Sequence, residues 1–232
     1  MITLYLVGGC IRDQILYKNC HDYDIIVKTD SYDEMINYIK NEGGQIFYEN
    51  KKYFTIKAKF NNQLIDFVLC RKDGLYKNCR APEIVYPGTL YDDLSRRDFT
   101  MNALAKECQI INHKVIIKND IIDYFGGIED INNKIIKCVG NTIDRFKEDC
   151  LRLVRAFRFS IILNFQLSKD IIECLNNITI INLLSNISKE RIQNELNQCF
   201  NYDTYKTILS LSYFPLFQKF LFNDLKLIIK IR

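Results

Sequence analysis

All nine glycines of this 232-residue chain lie in its first 140 residues, together with Pro82 and Pro87; from Asn141 to Arg232 there is no glycine and a single proline, Pro215. A chain that turns often needs residues that accept positive φ or preset it, whereas long helices exclude both. The distribution therefore divides the sequence into a turn-rich α/β part, residues 1–140, and a mostly helical part, residues 141–232. Charge divides at the same place. The first part carries 19 basic and 19 acidic groups and the second 13 and 9, so the whole net charge of +4 belongs to the helical part. So mild an excess permits a nucleic-acid partner without arguing for one. With 48% hydrophobic and 26% charged residues, the composition excludes a disordered, collagen-like or low-complexity chain.

Nine cysteines suggest a disulfide framework until their spacing is read. They stand at positions 10, 20, 70, 79, 108, 138, 150, 174 and 199, with no CxxC pair, and the only histidines are His21 and His113. A structural zinc site is not expected. Met1-Ile2-Thr3-Leu4-Tyr5 opens without a basic leader, so no secretory signal is visible. No apolar run approaches the ~18 residues that a membrane span needs. The reading is a soluble protein in a reducing compartment, cytoplasmic with an organelle left open, its cysteines serving as small core residues.

Period-2 alternation marks strands at Thr3–Val7, Asp22–Val27, Tyr53–Phe60 and Gln63–Leu69, with Asn61-Asn62 as a hairpin turn between the last two. Ser31-Tyr32-Asp33-Glu34 has the form of a capping box, and the helix it opens has Tyr32, Met35, Ile36 and Ile39 as its apolar positions. Arg71–Thr89 has turn chemistry and little periodicity and reads as a long loop, a kind of segment that is often functional. In the second part Phe146, Cys150, Leu153, Val154, Phe157 and Ile161 recur at helical spacing, within roughly 100° of one another on a 3.6-residue wheel. The other half of that helix carries Arg145, Glu148, Asp149, Arg152, Arg155 and Arg158 as a charged rail.

Four stretches could carry chemistry. Gly8-Gly9-Cys10-Ile11-Arg12-Asp13 sits where a strand ends and a helix begins; two glycines let backbone N–H groups approach an anion, and Arg12 offers a forked donor for phosphate. Taken alone, it reads rather as a tight turn with a surface arginine. In Asp22-Tyr23-Asp24, residues i and i+2 share a strand face, so two carboxylates project together. Their repulsion asks for compensation, which magnesium would supply, although a DxD is also a common solvated turn. Asp66, inside the apolar run Leu64-Ile65-Asp66-Phe67-Val68, either faces the same site or sits on a solvated face. Asp93 to Leu104 reads as a helical stretch with Leu94, Thr100, Met101 and Leu104 inward and the basic pair Arg96-Arg97 outward. The rail reads either as a row of weak ion pairs or, with three arginines and few acids to match, as a phosphate or nucleic-acid surface.

In this order, the stretches resemble the class II tRNA nucleotidyltransferase / bacterial poly(A) polymerase family, which adds CCA or A residues to RNA 3′ ends. The matching text is Leu6–Asp13, Asp22-Tyr23-Asp24, Arg96–Ala105, Ile122-Asp123-Tyr124-Phe125-Gly126-Gly127 and Glu148–Phe159, with Ile187-Ser188-Lys189-Glu190-Arg191 through Leu196 similar to the family's last neck motif. The resemblance covers about residues 1 to 200. It implies an α+β chain: a polymerase-β-like nucleotidyltransferase head with a small mixed sheet over residues 1–140, then an all-helical neck and short partial body over 141–232. It further implies that Asp22 and Asp24 are catalytic and bind two Mg²⁺, that Gly9 and Arg12 cradle phosphates, and that Arg97 contacts the nucleotide. Asp149 and Arg152 would read cytosine or adenine in place of a nucleic-acid template, and Arg155 and Arg158 match further nucleotide-contacting positions.

The implied substrates are CTP, ATP and the acceptor-stem 3′ end of tRNA, with no membrane partner; oligomeric state is not readable. Addition of A only, poly(A) addition, and a non-catalytic RNA- or nucleotide-binding module are the alternatives. Arg71–Tyr76 through Arg80-Ala81-Pro82 resembles the flexible loop that accompanies the switch to A addition, which argues against a CC-only enzyme. Family members normally continue into helical body and tail regions that grip the tRNA elbow. This chain ends near the start of such a body, so it is cut short, minimal, or helped by another chain. Lys219, Lys226, Lys230 and Arg232 against Asp224 leave the last segment basic enough for weak acceptor-stem binding.

Overall fold

The computed structural model describes residues 2–222 except His21, Asn78 and Arg80, and describes Lys77 without its side chain. Arg80 of the expected flexible loop and the tail charges at 224–232 therefore lie outside the described residues. In chain order the elements are β1 (Thr3–Val7), α1 (Gly9–Ile15), β2 (Tyr23–Lys28), α2 (Tyr32–Asn41), β3 (Gln45–Asn50), β4 (Thr55–Phe60), β5 (Gln63–Leu69), β6 (Arg71–Asp73), β7 (Tyr76–Lys77), β8 (Ala81–Pro82), β9 (Val85–Pro87), α3 (Leu90–Ser95), β10 (Leu104–Ile111), β11 (Lys114–Asp123) and α4 (Gly127–Asn132). There follow β12 (Ile135–Ile136), α5 (Thr142–Glu148), α6 (Leu151–Leu163), β13 (Gln166–Leu167), α7 (Lys169–Leu175), α8 (Ile178–Asn182), α9 (Lys189–Tyr202), α10 (Thr204–Ser212) and α11 (Pro215–Phe222). They form two compact units, Met1–Leu75 with Pro82–Ile131, and Tyr76–Ala81 with Asn132–Arg232.

The first unit is built on a seven-stranded mixed sheet in the order β11-β10-β1-β2-β5-β4-β3. Every neighbouring pair is antiparallel except β2 and β5, which run parallel. Central β2 has Ile25, Ile26 and Val27 all buried, so both its faces are covered, as a strand needing apolar residues on successive positions must be. Tyr32, Met35 and Ile39 of α2 are buried as the helical spacing requires. Its cap forms only in part as a box. Ser31 Oγ accepts from the Glu34 N–H at 3.1 Å, while the Glu34 carboxylate turns to the Thr29 hydroxyl and the Asp30 N–H.

Two segments differ from the sequence reading. Asp93–Leu104 is not one helical stretch: α3 stops at Ser95, Phe99 is extended, Thr100–Asn102 makes a single 3₁₀ turn, and β10 begins at Leu104. Leu94, Thr100, Met101 and Leu104 are buried all the same, so the inward set holds although the backbone carrying it changes type three times. Arg71–Thr89 is not a structureless loop either. Strand β6 pairs with β9 in the register Lys72↔Tyr86, and β7 pairs with β8.

In the second unit the expected single helix is two. Asp149 adopts an extended conformation (φ −141°, ψ 98°) that ends α5, and α6 starts two residues later. Phe146, Cys150, Leu153, Val154, Phe157 and Ile161 are nonetheless all buried. Phe157 meets the rings of Phe214 and Phe217 at 6.5 and 5.6 Å, and α6 packs along α9. The reading of all cysteines as small core residues is also corrected: Cys10 and Cys20 form a disulfide. Cys70, Cys108, Cys138, Cys150, Cys174 and Cys199 are buried thiols and Cys79 is half-buried. Among the described residues no helix is long and apolar enough to cross a membrane.

Candidate active site

The turn after β1 is shaped by what lies over it. Gly8 has φ +77°, and a Cβ there would stand 2.9 Å from Arg97 Nη1 and 3.7 Å from Asp24 Oδ2. A side chain would therefore be strained and would displace the arginine. A Cβ on Gly9 would meet the Arg12 guanidinium at 3.3 Å, so that arginine folds back over the turn. Arg12 is 8% exposed. Its Nε donates to Asp13 Oδ1 at 2.9 Å and its Nη1 to Asn102 Oδ1 at 2.8 Å. Asn102 in turn donates to Asp98 Oδ1 at 3.0 Å and accepts at its backbone oxygen from Arg97 Nη1 at 3.3 Å. Asp93, fully buried, holds Arg96 at 2.7 Å and Arg97 at 3.6 Å.

Asp24 lies beside that arginine. Its partners across the sheet are Val7 on β1 and Asp66 on β5, and Asp66 is opposite Lys57 on β4. Residues opposite one another in a sheet share a face, so Asp24, Asp66 and Lys57 form a row. Lys57 Nζ is 2.6 Å from Asp66 Oδ2, both side chains remaining partly solvated. The two openings left for Asp66 thus coincide: it is on the face of Asp24 and touched by solvent. Asp24 is open to solvent, yet enough protein crowds it to raise its carboxyl above the usual range; Arg97 opposes this, and the charges of Asp66 and Asp22 add to it. The structure thus brings Gly9, Arg12, Arg97 and Asp24 together around a glycine turn, while Asp22 lies just before β2, near enough for its charge to act on Asp24.

In the second unit, the break between α5 and α6 places Asp149 where its Oδ1 accepts from the Leu151 N–H at 3.2 Å. Burial raises its carboxyl, while Arg152, Arg191, that N–H and Arg155 pull it down. Arg152, 8% exposed, donates through Nη1 to Glu148 Oε2 at 2.9 Å and to the Arg145 carbonyl at 3.2 Å. The acids missing from the rail are present in space. Glu195 on α9 is 2.6 Å from Arg158 Nε and 3.8 Å from Arg155 Nη1.

Sequence reasoning did not single out Asn102, Asp93, Arg191 or Glu195. All four sit in stretches quoted above; Asp93 meets Arg96 and Arg97 at helical spacing, whereas Asn102, Arg191 and Glu195 act on residues remote in sequence, which no periodicity reports.

Comparisons with known proteins bear on the family and the fold. Residues 4–137 match the Poly A polymerase head domain family. The CCA-adding enzyme of Staphylococcus epidermidis is 32% identical over 224 residues, 93% of this chain and 52% of the relative. Among solved structures, the Bacillus stearothermophilus CCA-adding enzyme in complex with CTP is 29% identical with a TM-score of 0.72, over 93% of this chain and 47% of that one. A tRNA nucleotidyltransferase complexed with a primer tRNA and an incoming ATP analog is 28% identical with a TM-score of 0.76, over 97% and 61%. The chain spans about half the length of the curated relatives it matches. It belongs to the poly A polymerase head-domain family, as a class II nucleotidyltransferase related to the CCA-adding enzymes.

Proposed function

We propose that this chain is a template-independent tRNA 3′-end nucleotidyltransferase that adds C and A from CTP and ATP and releases pyrophosphate. The observation that carries the reading is the placement of Asp24 and Arg97 together over Gly8, an acid–guanidinium pair on a turn too tight for any side chain. Asp22 and Asp24 would hold Mg²⁺. Two oxygen ligands suit that ion, which keeps waters and substrate phosphates as its remaining ligands. Among the described residues no group of three or more His, Cys, Asp or Glu side chains that could hold a metal ion gathers. When bound, magnesium supplies charge neutralisation on the triphosphate and acidifies the attacking 3′-hydroxyl.

The chain's own groups do the rest. Gly9 and Arg12 bind phosphate oxygens, and Arg97 contacts the nucleotide beside Asp24. Asp149 accepts from the exocyclic amine of cytosine or adenine while Arg152 donates to the adjacent ring acceptor. Uracil and guanine present the opposite pattern and would leave buried groups unpaired, at roughly 1–3 kcal/mol each. Arg155 and Arg158 add positive charge along the same helix, and the acceptor stem of tRNA is the macromolecular partner.

The matched head family is named for poly(A) polymerases, which supports A-only or poly(A) addition as a second reading. Transcripts ending before or after the two C residues, each incubated with labelled CTP, ATP or both, separate the two. C followed by A is expected. A alone after CC, with no C ever added, overturns the CCA reading.

A further inference from the structure

Arg155 and Arg158 stand three positions apart on α6, so their side chains rise from the same helical face and repel. One carboxylate answers both. Glu195 Oε2 lies 2.6 Å from Arg158 Nε, and Oε1 lies 3.8 Å from Arg155 Nη1. Arg158 is held further: its Nη1 donates to Gln198 Oε1 at 2.9 Å, and its guanidinium lies 4.2 Å from the Phe159 ring centroid, with Arg155 at 5.5 Å from the same ring. The two arginines are thus unequal. The Arg158 side chain is 12% exposed and the Arg155 side chain 33%.

We propose that Glu195 is a positioning residue for nucleotide binding: it locks Arg158 against α9 and Phe159 as a brace, and so aims the more accessible Arg155 at the nucleotide. This rests on the nucleotidyltransferase reading above and adds to it a residue on α9, three helices after the α6 that carries Arg152. Burial pushes the Arg158 guanidinium down from its ordinary value and Glu195 opposes that, as a brace requires. Glu195 touches no nucleotide itself; its action passes through the arginines.

The test is equilibrium binding of CTP, with magnesium, to the 232-residue chain and its variants, alongside their melting temperatures and their preference among the four nucleotides. Glu195→Gln keeps the shape and removes the charge; it is expected to weaken CTP binding about tenfold, with base preference unchanged because Asp149 and Arg152 are untouched. Glu195→Asp is expected to recover part of the loss. A folded Glu195→Gln variant that binds CTP like the parent overturns the proposal, as does one that only melts earlier. Should Glu195→Gln fail to fold, Gln198→Ala takes its place: weakening of about threefold supports the brace, and parental affinity overturns it. A parent chain without CTP affinity overturns the nucleotidyltransferase reading and this inference together. Parental affinity with an indifferent variant overturns this inference alone.

Discussion

Arg12 Nη1 donates to Asn102 Oδ1 at 2.8 Å, a bond between positions ninety apart that ties the Gly8-Gly9 turn to the 3₁₀ turn before β10. Asn102 is 6% exposed, and through Asp98 and its own carbonyl it also fixes the segment carrying Arg97. Asn102→Ala deprives both Arg12 and Asp98 of a buried partner. A loss of about 1–3 kcal/mol is expected in urea denaturation, with weaker CTP binding. An unchanged denaturation midpoint would show that the bond is incidental.

Adjacent glycines give a second test. A Cβ on Gly127 would stand 2.2 Å from the Thr100 carbonyl oxygen, whereas one on Gly126, at φ +74°, would meet nothing within 4 Å. Gly127→Ala must push the Thr100–Asn102 turn away and is expected to cost about 3 kcal/mol. Gly126→Ala carries only backbone strain, about 1 kcal/mol. Denaturation midpoints in the reverse order would contradict the close approach.

Asp24 makes a pH-dependent prediction. Crowding raises its carboxyl above the value of 3.8 expected in the unfolded chain, so folding favours the protonated form. Its stability contribution is fully present below the unfolded value and is lost as pH rises through the raised one. Asp24→Asn is therefore expected to abolish transfer while melting higher than the parent near neutral pH, the difference vanishing at about pH 3. A variant that melts lower than the parent at neutral pH would refute the crowding argument.

Asp149→Ala is expected to relax base choice before it destroys transfer. Losing one acceptor at roughly 1–3 kcal/mol corresponds to roughly fivefold to 150-fold in discrimination against UTP and GTP. Incorporation assays with each of the four nucleotides measure this; undiminished selectivity would remove Asp149 from the reading role.

Much of the molecule was legible in its sequence. Alternation locates β1, β2, β4 and β5 to within two residues, and Ser31 announces α2, because each signal is local. The break at Asp149 is invisible to a helical wheel: Phe146 and Cys150 are four apart on either side of the extended residue, and both remain buried. Strand β11 is silent for another reason. Lys114–Asp123 is an edge strand whose positions are all exposed or half-exposed, so it has no buried face to alternate against. Single residues such as Asp22, Asp24 and Arg97 could be named from their motifs, but the partners that hold them could not. Glu195 answers arginines from another helix, and Asn102 completes Arg12 from the far side of the sheet's sequence.

The parallel pairing of β2 with β5 has a consequence for assembly. Asp24 and Asp66 are in register, yet no hairpin can join them, and the chain must first travel through α2, β3 and β4. Loop-closure entropy is spent before that contact returns anything. The acidic row is consequently expected late in folding, and a nascent chain that has not yet emitted β5 has Asp24 but no Asp66 in register beside it.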